Sequence, residues 1–498
     1  MKILSSEQMR KADSATIENE PVSALELMER AGRACFEWIL IHSDHSKKYV
    51  VVCGSGNNGG DGLVIARMLA AKRLKVRVVN LQLPNQSICF SENLEAIRSY
   101  DVEVIPLDNP EAFYIDSDEI VIDAIFGSGL SKPIDGWIGE IVKKINASGQ
   151  PVISIDMPSG LFSETHSNGC IVKARHTLTF QNPALSFMFA DSGNYAGDFH
   201  VLDIGLDKKF IEEITCQNFY IDEEVIKSII RPRDKFAHKG SFGHSLLVCG
   251  SHGKMGAALL AARACLRSGT GLLTIHIPSC GYEIIQSGIP EALVSVDSDQ
   301  ERITQIPTLP KVNALGIGPG IGLMDKTRVA LLGFLKENTF PVVLDADALN
   351  ILSDFPDALK LLQPNTILTP HPREFERLFG RTENGYEQFL LLKRVAAELK
   401  VIIILKGAHT CIATPEGNVF FNSTGNPAMA KGGTGDVLTG MITALLAQKY
   451  SCLEASILGV YLHGMAGDIA GRVTGSFSML ASDLIERIPD AFLKYNPL

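Results

Sequence analysis

The feature that most constrains the fold of this chain is a regular alternation of short apolar segments with helical segments. In the first half, YVVVCG, KVRVVNL, VEVIPL, EIVIDAIFG and PVISIDMPSG are separated by stretches of helical composition. Such alternation favours a largely parallel sheet that is covered by helices on both faces. Ligands of these sheets bind beyond the carboxyl ends of the strands, so the turns after the strands are the places to search for a site.

A second alternating series begins near residue 240 and includes HSLLVCGS, LLTIHIP, ALGIGPGIG, PVVLDADAL and VIIILKGAHT. At 498 residues, the chain exceeds the length that one hydrophobic core usually organises. A charged stretch, DEEVIKSIIRPRDKFAHKGSF, separates the two series, whose turn motifs differ. The sequence therefore predicts two unrelated α/β domains, at residues 1–222 and 223–498.

Composition excludes several classes of partner. The net charge of −10 argues against nucleic acid or an anionic membrane as the main partner. No apolar run reaches the roughly 18 residues of a membrane span, and the start MKILSSEQMRKADS is too polar for a secretory signal. The ten cysteines form no C-x-x-C pair, which favours reduced thiols. We expect a cytoplasmic protein that forms a homo-oligomer.

The turn GSGNNG at 54–59 matches the G-x-G-x-x-G fingerprint of dinucleotide-binding proteins. That fingerprint requires an acidic residue at the end of the second strand, to bind the ribose, and this chain has Asn80 there. Asn57, Asn58 and Asp61 also crowd a turn that should offer bare backbone to a pyrophosphate. A hydride-transferring oxidoreductase is therefore the least favoured interpretation.

Polar groups follow several strands of the first series. Asn58, Asp123 and Ser159 provide amide, carboxylate and hydroxyl oxygens, which together suit a hard cation. Asp156 offers a carboxyl group for acid–base chemistry, and FGSGLSKP forms a turn able to hold a phosphate, with Lys132 as a counter-charge. The alternative is that these residues only form turns and cap helices.

Four stretches, LMERAG, NNGGDG, DAIFGSGLSKP and SIDMPSG, together resemble the epimerase domain of NAD(P)H-hydrate repair enzymes over essentially residues 1–220. The resemblance implies a Rossmann-like three-layer α/β sandwich that binds hydrated NADH or NADPH as a damaged substrate. It implies Asp156 at the reacting end, and a potassium ion held by Asn58, Asp123 and Ser159. The implied substrate contacts are Asn57, Asn58, Gly59, Gly60, Asp61, Gly127, Ser128, Gly129, Leu130, Ser131, Lys132, Pro133 and Asp156.

The second series carries its own phosphate-type turn. Gly432-Gly433-Thr434-Gly435-Asp436 precedes the apolar stretch VLTGMITALLA, so its backbone amides would lie at the positive end of a helix. Asp436 is placed to take a proton from an attacking hydroxyl, unless it only caps that helix. Asp345 and Asp347 share one face of a predicted strand and could face magnesium or cap a helix.

This turn resembles the anion hole of ribokinase-like kinases. HKGSFGHSLLVCGSHGKMGAA, GIGPGIG, LDADALN, LTPHPREFERL and LKGAHT also follow the order found in the dehydratase domain of the same repair enzymes. The resemblance implies a ribokinase-like α/β fold in which Asp436 faces the substrate hydroxyl. The other implied substrate contacts are Ala257, Gly320, Gly322 and His371. The implied nucleotide contacts are Lys406, Gly407, Ala408, His409, Thr410 and Gly435.

Both resemblances imply one bifunctional enzyme, an isomerase and a lyase. It would interconvert the R and S forms of hydrated NADH and NADPH (NADHX and NADPHX) and dehydrate the S form, with ADP as phosphoryl donor and Mg²⁺. His371 could instead be only a turn residue, and Glu374 only a helix cap. One alternative function is a ribokinase-like kinase of a vitamin or sugar alcohol, with a regulatory nucleotide-binding N-terminal domain. Another is a non-catalytic nucleotide sensor.

Overall fold

A computed structural model describes residues 1–495 of the chain. They form two compact units. The first comprises Lys2–Cys216 together with Asn384–Tyr386, and the second comprises Met1 and the chain from Gln217 onward apart from that short segment. The division follows Cys216 because the strand Asn218–Ile221 pairs in the second sheet.

The first unit is built on a seven-stranded sheet whose strands are all parallel. Its strands are β1 (Lys48–Cys53), β2 (Val76–Leu81), β3 (Glu103–Leu107), β4 (Glu119–Ala124), β5 (Val152–Ile155), β6 (His176–Phe180) and β7 (Asp198–Leu202). Their order in the sheet is β3-β2-β1-β4-β5-β6-β7. The order reverses between β1 and β4, so a crevice opens beyond the carboxyl ends of these two strands. The predicted parallel α/β architecture is confirmed.

Helices cover this sheet. They are α1 (Ser6–Asn19), α2 (Ala24–His42), α3 (Asn57–Ala71), α4 (Ile88–Ala96), α5 (Gly136–Ala147), α6 (Ala190–Ala196) and α7 (Lys208–Glu213). The apolar residues of α2 recur with the period of an amphipathic helix, whereas the sequence analysis did not predict α1. Only Ala12 and Thr16 of α1 are buried, so α1 lacks a strong apolar stripe. Its start is nevertheless encoded by a capping box, in which Ser5 and Gln8 each bind the backbone N–H of the other.

The second unit contains a ten-stranded sheet in the order β11-β10-β9-β12-β13-β14-β15-β16-β17-β8. Its strands are β8 (Asn218–Ile221), β9 (His244–Val248), β10 (Leu272–Ile277), β11 (Leu293–Val296), β12 (Ala314–Ile317), β13 (Val342–Leu344), β14 (Thr366–Leu368), β15 (Ile402–Leu405), β16 (Cys411–Ala413) and β17 (Val419–Asn422). The strands are parallel except that β16 is antiparallel to β15 and to β17. The two sheets thus differ in the number and in the order of their strands.

The α-helices of the second unit are α8 (Glu223–Ile229), α9 (Met255–Arg267), α10 (Tyr282–Gly288), α11 (Asp325–Glu337), α12 (Asp347–Asp354), α13 (Pro372–Phe379), α14 (Gly385–Leu399), α15 (Thr434–Ala447), α16 (Cys452–Thr474) and α17 (Ala481–Leu493). α16 is 23 residues long. Even so, within residues 1–495 no helix combines the length and the apolar character that crossing a membrane requires.

The position of α15 depends on close packing against α9. Every α15 residue from Val437 to Ala447 is buried. At Gly440, an added Cβ would overlap the carbonyl oxygen of Ala261, so only glycine lets the two helix backbones approach this closely. This contact fixes α15, whose first turn carries Gly435 and Asp436.

We predict opposite effects for two glycine-to-alanine substitutions in helices. Gly440→Ala should lower the free energy of unfolding by about 1–3 kcal/mol, because α9 and α15 must separate. In α11, Gly333 is exposed and an added Cβ would meet no atom within 4 Å. Gly333→Ala should therefore raise the free energy by about 0.5–1 kcal/mol through helix propensity. Urea unfolding measures both, and equal effects would contradict the packing account.

Candidate active sites

A cavity of about 800 Å³ lies beyond the carboxyl ends of β1, β4 and β5 in the first unit. The turns after these strands line it, as the strand order leads one to expect. Among the residues predicted to contact a substrate, the cavity is lined by Asn57, Asn58, Asp61, Gly127, Ser128, Gly129, Leu130, Ser131, Lys132 and Asp156. Gly59, Gly60 and Pro133 are not among its lining residues.

Gly59 and Gly60 have a packing role in α3. An added Cβ at Gly59 would overlap the carbonyl oxygen of Gly54, and one at Gly60 would lie 2.6 Å from Sδ of Met28. Their small size therefore lets α3 begin directly beneath the turn after β1 and against α2. Substrate contact by these two glycines stays a prediction.

Asp156 faces the cavity from the turn that follows β5. Its φ of +64° lies in the left-handed region, which costs an aspartate free energy and marks a turn that the surrounding structure imposes. Its Oδ2 accepts a 2.6 Å hydrogen bond from the backbone N–H of Ser128. Gly127 makes room for the carboxylate, because a Cβ there would overlap Oδ2 of Asp156. Burial raises the pKa of Asp156, against the effect of this hydrogen bond.

Two further carboxyl groups face the same cavity. Asp61 is only 8 % exposed, and its side chain has no hydrogen bond or ion pair to residues 1–495. Burial is the main cause that raises its pKa, and the negative charges of Asp156 and Asp13 add to it. Asp13 lies on α1, where burial and the charge of Asp156 raise its pKa to about 6. Sequence analysis missed Asp13 because it missed α1; the capping box at Ser5 was the available signal.

The proposed potassium ligands differ in whether they line the cavity. Asp123 and Ser159 are fully buried beneath the turns and do not line the cavity. Asp123 Oδ1 accepts from Ser159 Oγ at 2.6 Å, and Oδ2 accepts from Ser154 Oγ at 2.8 Å. Burial raises the pKa of Asp123 despite these bonds. Asn58 lines the cavity, and both polar atoms of its amide are buried without a hydrogen-bond partner.

The oxygen set around Asn58 differs from a typical transition-metal site. Among residues 1–495, no three His, Cys, Asp or Glu side chains are arranged to hold a metal ion. The predicted ligands are the amide oxygen of Asn58, the carboxylate of Asp123 and the hydroxyl of Ser159, and the last two are hydrogen-bonded to each other. Such a set suits a hard cation of low charge better than zinc or iron.

A second cavity, of about 400 Å³, lies in the second unit. It is lined by Gly253, Lys254, Gly256, Ala257, Gly320, Ala346, Asp347 and Asp436. Three predicted substrate contacts, Ala257, Gly320 and Asp436, thus come together, whereas Gly322 and His371 do not line this cavity. The sequence analysis assigned no role to Lys254, which is the basic residue of this lining.

The Gly-Gly-Thr-Gly-Asp turn is part of α15 rather than a segment that precedes it. The helix begins at Thr434, with Gly433 as N-cap at a φ of +94°, so Gly435 and Asp436 lie in the first turn. The helix has no side-chain cap, and the Asp436 carboxyl group has no hydrogen-bond partner in the described chain. The capping interpretation of Asp436 is therefore wrong. Burial, with a contribution from Asp345, raises its pKa to about 7, although Lys406 opposes this shift.

Asp345 and Asp347 do not share a strand face, contrary to the prediction. β13 ends at Leu344, and Ala346 between the two aspartates has a φ of +49°. Asp345 is buried and accepts from Lys406 Nζ at 2.9 Å and from Thr439 Oγ1 at 2.8 Å. The turn after β13 therefore directs Asp345 toward α15.

Asp347, the first residue of α12, faces the second cavity. Its Oδ2 accepts from Lys254 Nζ and from the backbone N–H of Gly322, each at 2.9 Å. It makes no capping bond to its own helix, since α12 has no side-chain cap. The backbone N–H of Gly322 thus holds the side chain of Asp347. Contact between Gly322 and the substrate stays a prediction.

The predicted nucleotide contacts follow β15. Lys406 is paired with Asp345, and Gly435 lies beside it, since a Cβ on Gly435 would be 3.4 Å from Lys406 Nζ. Gly407 and Ala408 are exposed, and the Thr410 hydroxyl donates to the carbonyl oxygen of Gly407. The Nδ1 atom of His409 lies 2.9 Å from the carbonyl oxygen of Asn422. Only Lys406 and Gly435 of this set are thereby placed against the turn that holds Asp436.

His371 and Glu374 form a capping box at the start of α13. Nδ1 of His371 accepts from the backbone N–H of Glu374 at 3.2 Å, and Glu374 Oε2 accepts from the His371 N–H at 2.8 Å. The interpretation of Glu374 as a helix cap is confirmed, and His371 has a structural role of the same kind.

Comparison with known families gives two matches along the chain. Residues 24–186 match the profile of a family described as the YjeF-related protein N-terminus. Residues 245–490 match the profile of a family described as NAD(P)H-hydrate dehydratase. Each cavity lies within one matched part of the sequence, except that Leu4, residues of α1 and Ile204 also line the first.

Similar proteins extend over nearly the whole chain. The bifunctional NAD(P)H-hydrate repair enzyme Nnr of Coxiella burnetii is 33% identical over 485 residues, which cover 97% of each chain. That of Escherichia coli K12 is 32% identical, covering 93% of this chain and 88% of the relative. Among solved structures, the ADP/ATP-dependent NAD(P)H-hydrate dehydratase of Bacillus subtilis, co-crystallised with ATP/Mg²⁺, is 33% identical. It covers 56% of this chain and 99% of its own, with a TM-score of 0.49.

We predict that Asp436→Asn stabilises the second unit in a pH-dependent way. Since the pKa of Asp436 is raised to about 7 in the folded protein, the free energy of unfolding falls as pH rises from the unfolded pKa of about 4 to about 7. At pH 8 the substitution should raise the free energy of unfolding by about 2–4 kcal/mol, and the gain should vanish near pH 4. Urea unfolding at both pH values tests this. Glu416→Gln, at an exposed turn, is the control, and a gain as large there would contradict the assignment.

Proposed function

The chain belongs to the family of bifunctional NAD(P)H-hydrate repair enzymes, and we propose that its two cavities are the two active sites of that repair. As a member of this family it is both an NAD(P)H-hydrate epimerase and an NAD(P)H-hydrate dehydratase. A kinase of vitamins or sugar alcohols is not favoured, because the matching full-length relatives carry out repair.

The second cavity is the proposed dehydratase site. Hydrated NAD(P)H carries a hydroxyl group on C6 of the reduced nicotinamide ring, next to N1, and hydroxide is a poor leaving group. Transfer of a phosphoryl group to this oxygen gives a good leaving group, which the N1 lone pair then expels as phosphate. Loss of a proton from C5 restores the dihydropyridine ring.

The observation that carries this proposal is the unpaired carboxyl group of Asp436 in the first turn of α15. With a pKa of about 7, Asp436 can accept the proton of the C6 hydroxyl as that oxygen attacks phosphorus. The backbone amides around Gly435 lie at the positive end of the helix, where they stabilise the charge of a transferring phosphoryl group. Lys406 lies beside the same turn and adds positive charge.

We propose ADP as phosphoryl donor and Mg²⁺ as its counter-ion. The donor chemistry of the site fits a hard cation, because carboxyl groups of Asp347 and Asp436 line the same cavity. Asp347 would hold the ion, which would neutralise phosphate charge when bound, and Asp436 stays the proton acceptor. The proposed nucleotide contacts are Lys406, Gly407, Ala408, His409, Thr410 and Gly435. Of these, Lys406 and Gly435 lie beside each other at the turn that holds Asp436.

The first cavity is the proposed epimerase site. A dehydratase that accepts one configuration at C6 leaves the other epimer unrepaired, so a second site that interconverts R and S forms completes the reaction. Asp156 is the proposed acid–base residue, since it faces the cavity and burial raises its pKa. Lys132 and Arg10 line the same cavity and can offset the charge of the dinucleotide phosphates.

Potassium is the proposed ion of the epimerase site. The buried amide oxygen of Asn58 accepts no hydrogen bond. A buried oxygen without a donor is expected where a bound ion is its partner. Asn58, Asp123 and Ser159 would hold the ion, which supplies a positive charge near the buried carboxylates when bound. A cytoplasmic location and assembly into a homo-oligomer stay predictions from the sequence.

We predict that single substitutions separate the two activities. With mixed epimers of hydrated NADPH, ADP and Mg²⁺, Asp436→Ala should abolish recovery of absorbance at 340 nm and release of inorganic phosphate. Asp156→Ala should repair the S epimer normally while the R epimer follows its spontaneous rate. A stable phosphate ester would favour the kinase alternative. Unchanged turnover in both variants would favour a nucleotide sensor.

We also predict that Asn58→Ala raises the potassium concentration needed for half-maximal epimerase activity by about tenfold or more, with little change in the free energy of unfolding. The reason is that the Asn58 amide makes no hydrogen bond whose loss would destabilise the fold. The dehydratase rate of the same variant is the internal control. A potassium dependence equal to that of wild type would contradict the assignment of Asn58.

A further inference from the structure

One face of α1 forms a wall of the first cavity. Ser6, Met9, Arg10, Asp13 and Ile17 all line it, and their spacing along the helix places them on a single stripe. α1 is held in place at its start, where Ser6 Oγ donates to the carbonyl oxygen of Ser128 at 3.0 Å. The helix is therefore part of the same site as the turn that contacts Asp156.

Asp13 is the acidic residue of this stripe, and its carboxyl group makes no hydrogen bond or ion pair within residues 1–495. Arg10 lies one turn earlier, but its Nε donates to the backbone carbonyl oxygen of Ser6. Asp61, nearly fully buried, faces the cavity without a partner as well. Partly buried carboxyl groups without partners cost free energy, so their retention around one cavity indicates a ligand that interacts with them.

We propose that Asp13 is a second catalytic acid–base residue of the epimerase, which gives a proton to N1 of the nicotinamide ring while Asp156 takes the proton of the C6 hydroxyl. The proposal rests on the proposed function of the first cavity. Its geometric basis is that the two carboxyl groups reach one cavity from different walls, Asp13 from a helix and Asp156 from the sheet edge.

The chemistry balances within the site. The Asp156 carboxylate removes the hydroxyl proton, the O–H electron pair forms the C6=O bond, and the C6–N1 bond breaks. Its electron pair goes to N1, which receives the proton of Asp13. Rotation about C5–C6 presents the other face of the aldehyde to N1. N1 then attacks C6 and returns its proton to Asp13, while Asp156 returns its proton to the oxygen, so that both residues and the net composition are restored.

The contacts of Asp156 and Asp13 favour these protonation states at the start of the reaction. Burial raises the pKa of both groups, but the hydrogen bond from the Ser128 N–H favours the ionised form of Asp156. Asp13 accepts no hydrogen bond in the described chain, and its pKa is raised to about 6, mainly by burial. Five other titratable or charged residues line the same cavity as Asp13. They are Arg10 on α1, Asp61 on α3, Cys89 on α4, Lys132 after β4 and Asp156 after β5.

The test compares Asp13→Asn, Asp156→Asn and the control Glu7→Gln in the full chain. Glu7 lies on the same helix, its side chain is 72 % exposed, and it does not line the cavity, so the control removes a carboxylate from α1 outside the site. Pure R epimer of hydrated NADPH is supplied with ADP and Mg²⁺. Asp13→Asn should slow conversion of the R epimer by about 100-fold or more, the usual worth of an acid–base group. Its KM should change little, and Glu7→Gln should match wild type.

Two readouts separate catalysis from a structural effect. The S epimer should still be dehydrated at the wild-type rate, and Asp13→Glu should restore part of the R-epimer rate. In wild type, the rate should fall as pH rises through about 6, because the acid form of Asp13 is lost, and Asp13→Asn should remove this limb. If Asp13→Asn does not fold, the presence or absence of the limb in wild type decides.

Each remaining outcome has one meaning. A wild-type R-epimer rate in Asp13→Asn, with a strong loss in Asp156→Asn, would overturn the role of Asp13 and leave the proposed function intact. Wild-type rates in both variants would instead show that the first cavity is not the epimerase site. A wild-type pH profile without a limb near 6 would also overturn the proposal.

Discussion

Both proposed active sites depend on carboxyl groups that the fold holds away from water without cationic partners. Asp61 is buried and Asp156 is partly buried in the first unit, and Asp436 stands unpaired at the start of α15 in the second. Burial disfavours the charged form and so raises the pKa of each group, and it is the main cause that raises the pKa of Asp436 to about 7. The same burial opposes folding when these groups ionise. The two large sheets offset that cost, because their cores bury the strands almost completely.

The two units hold these carboxyl groups away from water through different local geometry. In the first, the strand order reverses between β1 and β4, and the turns after the strands surround a single cavity. In the second, helix α15, whose N-cap is Gly433, presents backbone amides beside a carboxyl group. Both sites include a strand-end residue with positive φ, Asp156 in one and Ala346 in the other. Such conformations persist where the surrounding structure imposes them, and they cluster at functional sites.

Much of this arrangement could be predicted from the sequence, because strands buried in a parallel sheet are continuous apolar runs. The turns that follow those runs, including those of Asn58, Ser128 and Asp156, line one cavity as expected. α1 escaped prediction because most of its residues are polar, and Asp13 escaped with it. Asp345 and Asp347 were misplaced because β13 is only three residues long. Only two residues separate the end of β13 from the start of α12, so the sequence shows no periodic pattern that tells strand residues from helix residues there.

Side-chain partners are the part that sequence patterns predict least. Whether a carboxyl group is paired, as Asp345 is with Lys406, or unpaired, as Asp436 is, depends on contacts between distant segments.

The most direct test of the account is a crystal structure of Asp156→Asn soaked with hydrated NADPH and potassium. We predict the dinucleotide in the first cavity, with N1 beside Asp13, C6 beside residue 156 and an ion on Asn58. Density for the dinucleotide elsewhere, with this cavity empty, would contradict the account.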